Sequence, residues 1–323
     1  MILASAARTP ERVTWADTLR LHVRTAPVFL CKGAMGYLIY AEAPWWALLI
    51  VLLLTVHFMH ACLIAFHEAA HRNVAPNKWY NDAVGLGIGT FAFMSLTLYR
   101  TVHRMHHARL GAEEDDELWP FNRPGMPRVF RVAAATFELG LGIIFTPLLF
   151  LRAFLRKGTV VKDAATRRRV WAELTLIAVV WAAVISDTAA SGHWLNFMTG
   201  TLIPAILAGN VQSWRKYVEH VGLTANDQAG GTRSIDAPGP VGRLLSDLML
   251  HEPYHGVHHR YAALPHAALP AHRDVLPVAD PDHPEQPLLF PSYLAATADM
   301  LRCLPDPKVG GQWLKSETAS ATA

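Results

Sequence analysis

The chain has 323 residues, of which 52% are hydrophobic and only 17% charged, against roughly a quarter charged in ordinary soluble domains. This excludes a disordered chain and argues against a soluble enzyme. The formal charge is +3, too weak a bias to point to nucleic acid as a partner. Cys31, Cys62 and Cys303 are the only cysteines and stand far apart, so no thiolate zinc site, iron–sulfur cluster or disulfide scaffold is encoded. The unusual count is histidine, at 17.

Residues 1–26 carry Arg8, Glu11, Arg12, Asp17, Arg20 and Arg24 with no apolar core between them, and do not read as a signal peptide. Residues 27–41 are apolar except for Lys32, and Trp45 to Phe66 contains no formal charge. Together they predict a pair of spans turning at Glu42–Pro44, the second long enough for the hydrocarbon core at about 1.5 Å per residue. Val170–Ala190 and Trp194–Ser213 predict a second pair, an antiparallel hairpin over the short link Ser191–His193.

Two apolar stretches are ambiguous. Residues 83–99 are short for a span and hold Gly85, Gly87 and Gly89, and 132–151 contain Glu138 and Pro147. The segment 152–169 carries seven Lys or Arg against Asp163, and 72–131 is also rich in arginine. The positive-inside rule places both on the cytoplasmic side. Neither ambiguous stretch then crosses, and both are expected to be interfacial or re-entrant. The expected fold is an all-α integral membrane protein. About four transmembrane helices and interfacial or re-entrant helices lie under a cytoplasmic histidine-rich cap, with both termini inside. Residues 214–302 are too polar to span. One membrane-embedded domain is expected over 1–302, with a flexible tail at 303–323.

Three histidine clusters carry the chemistry: His67-Glu68-Ala69-Ala70-His71, His103-Arg104-Met105-His106-His107 and His255-Gly256-Val257-His258-His259. On a helix, positions i, i+3 and i+4 share a face, so each cluster aims two or three imidazoles at one place. Neutral imidazole suits iron, copper and zinc. At this histidine frequency an H-x-x-H-H pattern arises by chance roughly 0.05 times, and the chain has two. His57 and His60, inside a span, read as satisfied core residues, and His22, His193, His266, His272 and His283 as surface residues. Glu68, Glu219, Glu252, Asp115 and Asp116 stand near the clusters, and ligating imidazoles usually donate their second N–H to a carboxylate. The run Glu113–Glu117 also reads as a solvated acidic loop.

The chain resembles the membrane fatty acid desaturase/hydroxylase superfamily over about residues 45–275, with His67–His71, His103–His107 and His255–His259 in the place of its three histidine boxes. Tyr254–His259 followed by Pro265, and Thr232–Ile235 before it, are similar to the third box of desaturases. Tyr217–Leu223 resembles a segment of membrane alkane hydroxylases. The resemblance implies a non-haem di-iron centre, O₂ as co-substrate and four spans under a cytoplasmic cap. It also implies nine ligands: His67, His71, His103, His106, His107, His220, His255, His258 and His259. His251, one turn before His255, is a substitute candidate. No nucleotide fingerprint or haem-attachment motif is present, so electrons are expected from a ferredoxin, rubredoxin or cytochrome b5 type carrier with its reductase. The substrate is expected to be a fatty acyl or other lipid chain entering from the bilayer.

Desaturation is the expected outcome, with hydroxylation of a lipid, alkane or carotenoid as the alternative. His67-Glu68-x-x-His71 also matches the zinc-protease pattern H-E-x-x-H, which leaves two H-x-x-H-H clusters unexplained. A metal transporter would hold its ligands at mid-membrane on broken helices.

Overall fold

The computed structural model describes residues 12–123, 125–223, 230–280 and 284–304. The expected tail beyond Leu304 lies outside them. The chain starts with α1 (Trp15–Thr25), where Thr14 and Asp17 form a reciprocal capping box. There follow α2 (Pro27–Tyr40), α3 (Trp45–His71), α4 (Lys78–Phe91) and α5 (Leu96–Ala108). Asn77 and Ser95 cap α4 and α5 with side-chain oxygens. Next are α6 (Arg128–Leu155) and α7 (Ala164–Ser191), the latter ended by Gly192 in the left-handed region. α8 (Trp194–Phe197), a π-turn (Met198–Leu202) and α9 (Ile203–His220) form one helical run. The cap adds α10 (Gly239–Leu248), α11 (His255–Arg260) and α12 (Tyr293–Cys303). Its only pairing of named strands among the described residues is β1 (Ser234–Ile235) parallel to β2 (Leu289–Phe290).

The fold is all-α and membrane-embedded. α3, α6 and α7 are each long and apolar enough to cross a bilayer, and α4 with α5 makes a fourth candidate bent by 101°. That bend is the break expected of a re-entrant 83–99. α2 has 14 residues, or about 21 Å, short of the hydrocarbon core. The predicted 170–190/194–213 hairpin exists at its turn. Beyond the turn the two helices diverge, α7 packing on α4 and α5, α9 on α3 and α6.

α6 has the length and hydropathy of a span, yet it folds back. Leu141 leaves the helical region at φ −139°, ψ 46°. The Trp119 indole meets the Phe130 ring at 5.5 Å and carries the Arg152 guanidinium at 4.1 Å. In a straight helix residues 130 and 152 would be about 33 Å apart. The re-entrant expectation for 132–151 therefore matches the geometry. Glu138 is tolerated there because it is buried against Lys216, with Tyr217 Oη donating at 3.0 Å and Thr146 Oγ1 at 3.1 Å. The hairpin sits tightly on α9: a Cβ on Gly209 would lie 2.7 Å from the Ile143 nitrogen.

α3 is the central element, touching α2, α4, α5 and α9. Ile64, Phe66, Leu96, Leu98, Phe150 and Phe154 form a buried layer around its histidine-bearing end. That layer fixes the rotamers of the imidazoles above it.

Candidate metal centre

The three histidine clusters converge through different elements. His67 and His71 are the last turn of α3, and His103, His106 and His107 lie on the C-terminal half of α5. His220 ends α9, and His255, His258 and His259 lie on α11. β1 holds α11 in place: the Ile235 N–H donates to the Pro253 carbonyl at 2.8 Å, and Gly256 N–H to Ser234 Oγ at 2.8 Å.

All nine ligand candidates come together, in two groups. One nitrogen each of His67, His71, His103, His107 and His258 lies within 4.8 Å of all the others, as do those of His106, His220 and His259. His255 joins the second group, its Nε2 lying 2.8 Å from His220 Nε2 and 3.1 Å from His259 Nε2. In the first group His103 Nε2 is 3.0 Å from His71 Nε2 and 3.1 Å from His107 Nε2. Two nitrogens bound at right angles to one ion, each at about 2.1 Å, stand about 3.0 Å apart. The separations therefore fit metal ligation.

The outer hydrogen bonds point the same way. His220 Nδ1 donates to the Gly231 carbonyl at 3.0 Å, and His103 Nδ1 contacts Glu117 Oε2 at 2.8 Å. A carbonyl only accepts, so the His220 proton is on Nδ1 and Nε2 presents a lone pair. Glu117 as the acceptor at Nδ1 favours the same tautomer for His103. His106 Nδ1 is held by Asp115 Oδ2 at 2.9 Å, and His67 Nε2 has no hydrogen-bond partner among the described residues. Buried lone pairs facing each other at this distance repel unless a cation lies between them.

Glu252 is the node between the groups. Its Oε1 lies 3.3 Å from His67 Nδ1, and its Oε2 lies 3.7 Å from His255 Nδ1 and 3.1 Å from Arg215 Nη2. Burial opposes its charge, but Arg215 and the imidazoles more than offset this and hold it well below the usual carboxylate range. Burial pushes His255 down to about 4, and His258 and His259 well below the ordinary histidine value. All three are neutral at pH 7, the form that binds metal.

Of the acidic run, Asp115 and Glu117 serve histidines, whereas Asp116 faces Arg123, Arg152 and Arg156. The run is thus built into the protein, and the solvated-loop reading holds only for Glu114, since Glu113, though exposed, pairs with Arg123. Glu219 lies 3.6 Å from His255 Nε2 and 3.0 Å from Arg215 Nε. Glu68 accepts from the His266 backbone N–H at 3.2 Å.

Other histidine expectations divide. His251 stays out of both groups, its Nδ1 3.1 Å from Ser246 Oγ. His266, expected at the surface, is buried at 5% exposure beneath the cap, because the Pro265 turn carries it inward against Glu68. His193 is exposed, His22 and His272 are half-buried, and His283 lies outside the described residues. His60 is buried in the span as expected, but its Nε2 has no hydrogen-bond partner among the described residues, and His57 is half-buried. Sequence reasoning missed Arg215, whose signal was an i, i+4 pairing with Glu219. It also missed Tyr99, which stacks on His103 at 5.0 Å.

Below the histidines lies a cavity with an apolar wall of Leu63, Phe66, Tyr99, Ile143 and Pro147, closed on its other side by His67, His103 and the charged Arg215, Lys216 and Glu219. An alkyl chain fits such walls.

The family profile described as Fatty acid desaturase matches residues 43–286. The sn-1 oleoyl-lipid 12-desaturase of Synechocystis sp. is 26% identical, over 71% of this chain and 70% of its own. That of Anabaena variabilis is 24% identical over 68% and 67%. The chloroplastic omega-6 fatty acid desaturase of Spinacia oleracea is 24% identical over 72% of this chain and 54% of its own. These matches favour neither the hydroxylase nor the protease reading. The chain belongs to the fatty acid desaturase family and is a membrane oxidoreductase that desaturates lipid chains.

Proposed function

We propose that this chain introduces a double bond into the acyl chain of a membrane lipid, using two iron ions and O₂. His67, His71, His103, His107 and His258 hold one ion, and His106, His220, His255 and His259 the other. The observation that carries this is the placing of two buried imidazole groups against a cavity whose opposite wall is apolar. Bound iron with O₂ supplies the oxidising power that an unactivated C–H bond requires.

The chain's own residues do the rest. Glu117, Asp115, Glu252 and the Gly231 carbonyl orient the imidazoles and keep their metal-facing nitrogens unprotonated. Phe66, Ile143 and Pro147 hold two adjacent methylenes near the histidines and exclude water. Glu68 is engaged by the His266 N–H and is not placed as a protease base. The relatives of Synechocystis sp. and Anabaena variabilis are named for oleoyl-lipid, which supports a lipid-linked monounsaturated chain as substrate. The arginine distribution supports a cytoplasmic cap and termini. Electrons come from an external carrier protein.

Metal analysis and product analysis under ¹⁸O₂ test this together. About two irons per chain and little zinc are expected, with loss of two hydrogens and no label in the lipid. One zinc without iron would overturn the ligand assignment. A labelled hydroxyl as main product would overturn desaturation and leave the metal centre standing.

A further inference from the structure

A second cavity reaches the histidines and has a different character. His71, His103 and His107 line it together with Arg72, Arg100 and Arg104. Only His103 also lines the first cavity. His71 is half-buried, whereas the other eight ligand candidates are buried. The centre is therefore most accessible through His71, on a polar face.

The charge on that face is unbalanced. Arg100 is paired with Asp82 at 2.7 Å, and Asp82 is shared with Arg169. Arg72 and Arg104 are exposed and pair with no acid among the described residues. Arg72 also occupies the left-handed C-cap of α3, at φ 64°. Gly or Asn is the usual residue there, and an arginine is strained.

We propose that this cavity is the docking mouth for the electron carrier, a small acidic redox protein. Its carboxylates pair with Arg72 and Arg104, and electrons enter by way of the His71 imidazole. The inference rests on the di-iron desaturase reading. In that reaction the alkyl chain gives up two electrons and two protons to form the C=C bond. Reducing O₂ to two waters takes four of each. The carrier supplies the other two electrons, in two single deliveries, and solvent supplies two protons. A charged rim on the polar side of the centre suits fast, salt-sensitive encounter.

The test uses iron-loaded protein in phosphatidylcholine nanodiscs, with and without an anionic phospholipid, and reduced plant-type ferredoxin, rubredoxin and cytochrome b5 as probes. For whichever carrier binds wild type, R72E/R104E should raise Kd and KM about tenfold or more and flatten the salt dependence. R72K/R104K should restore both, because charge and not shape is required. R168E, an exposed change on α7, should alter neither. An unchanged Kd in R72E/R104E with normal iron content would overturn the proposal. So would an absence of salt-sensitive binding of wild type to all three carriers. An effect confined to nanodiscs containing anionic lipid would assign the arginines to headgroups and overturn it too. Failure of the desaturase reading is distinguishable, since wild type would then bind the carrier normally and yield no desaturated product.

Discussion

The side chain of Asn210 closes the break in α6 on either side of Leu141. Its Oδ1 accepts from the Gly142 N–H at 3.0 Å, and its Nδ2 donates to the Gly140 carbonyl at 2.9 Å. A helix that breaks within the apolar layer frees backbone groups that lipid cannot satisfy. One amide on the neighbouring helix satisfies two of them. Asn210→Leu should therefore destabilise the protein by about 2–6 kcal/mol, from two unpaired backbone groups at roughly 1–3 kcal/mol each. Asn210→Asp keeps only the acceptor and should fall between. Thermal unfolding in detergent measures both. A Leu variant as stable as wild type would show that the amide has no such role.

Asp115 and Asp116 are adjacent but do different work, which separates site from scaffold. Asp115 holds His106, and Asp116 holds the arginine cluster. Asp115→Asn is nearly isosteric but removes the fixed acceptor for His106 Nδ1. It should lower metal affinity or activity about 10–100-fold with little change in unfolding temperature of the metal-free protein. Asp116→Asn should lower the unfolding temperature, because Arg152 and Arg156 lose their shared anion. Metal titration and a thermal scan on the two variants check the pattern. The reverse assignment of effects would refute it.

The boxes were legible because helical spacing alone puts their imidazoles on shared faces. His220 stands outside any box and was legible only through the resemblance. Arg215 was not singled out at all. A lone arginine becomes meaningful only when the fold sets Glu219 and Glu252 on either side of it. The same limit explains His266, whose burial depends on where the cap returns to α3. For α6 the charge distribution on its flanks was a better guide than its length. Length does not record that Leu141 breaks the helix, or that Glu138 finds Lys216 and Tyr217.

Acidification should weaken the metal-free protein in a defined window. Burial pushes His266 and His255 down to about 4, from an ordinary value of 6.5. Above 6.5 both are neutral in the folded and unfolded states, and their contribution is constant. Between 6.5 and about 4 the unfolded chain takes up protons that the folded chain refuses, so stability falls with pH. Glu252, held well below its ordinary value, acts in the same direction at lower pH. The unfolding temperature of the metal-free protein should drop steadily from pH 7 to pH 4.5. His266→Gln should flatten part of that drop, whereas an identical pH profile in the variant would remove His266 from the explanation.

The return of α6 on itself has a topological consequence. Trp119 touches Phe130 near one end and Arg152 near the other, so both ends lie on one side of the membrane. The rings of Phe137 and Phe145 meet at 5.7 Å across the break, whereas eight residues of straight helix would separate them by about 12 Å. Single cysteines placed at Arg128 and Lys157, in a background lacking Cys31, Cys62 and Cys303, report this directly. Both should react with a membrane-impermeant thiol reagent from the same side, and from the side on which Arg104→Cys reacts. A cysteine at exposed His193 should react only from the opposite side, because α7, between Arg168 and that turn, is long and apolar enough to cross. Labelling of positions 128 and 157 from opposite sides would make α6 a true span. It would also place its arginine-rich flanks on different faces, which the shared contacts to Trp119 do not allow.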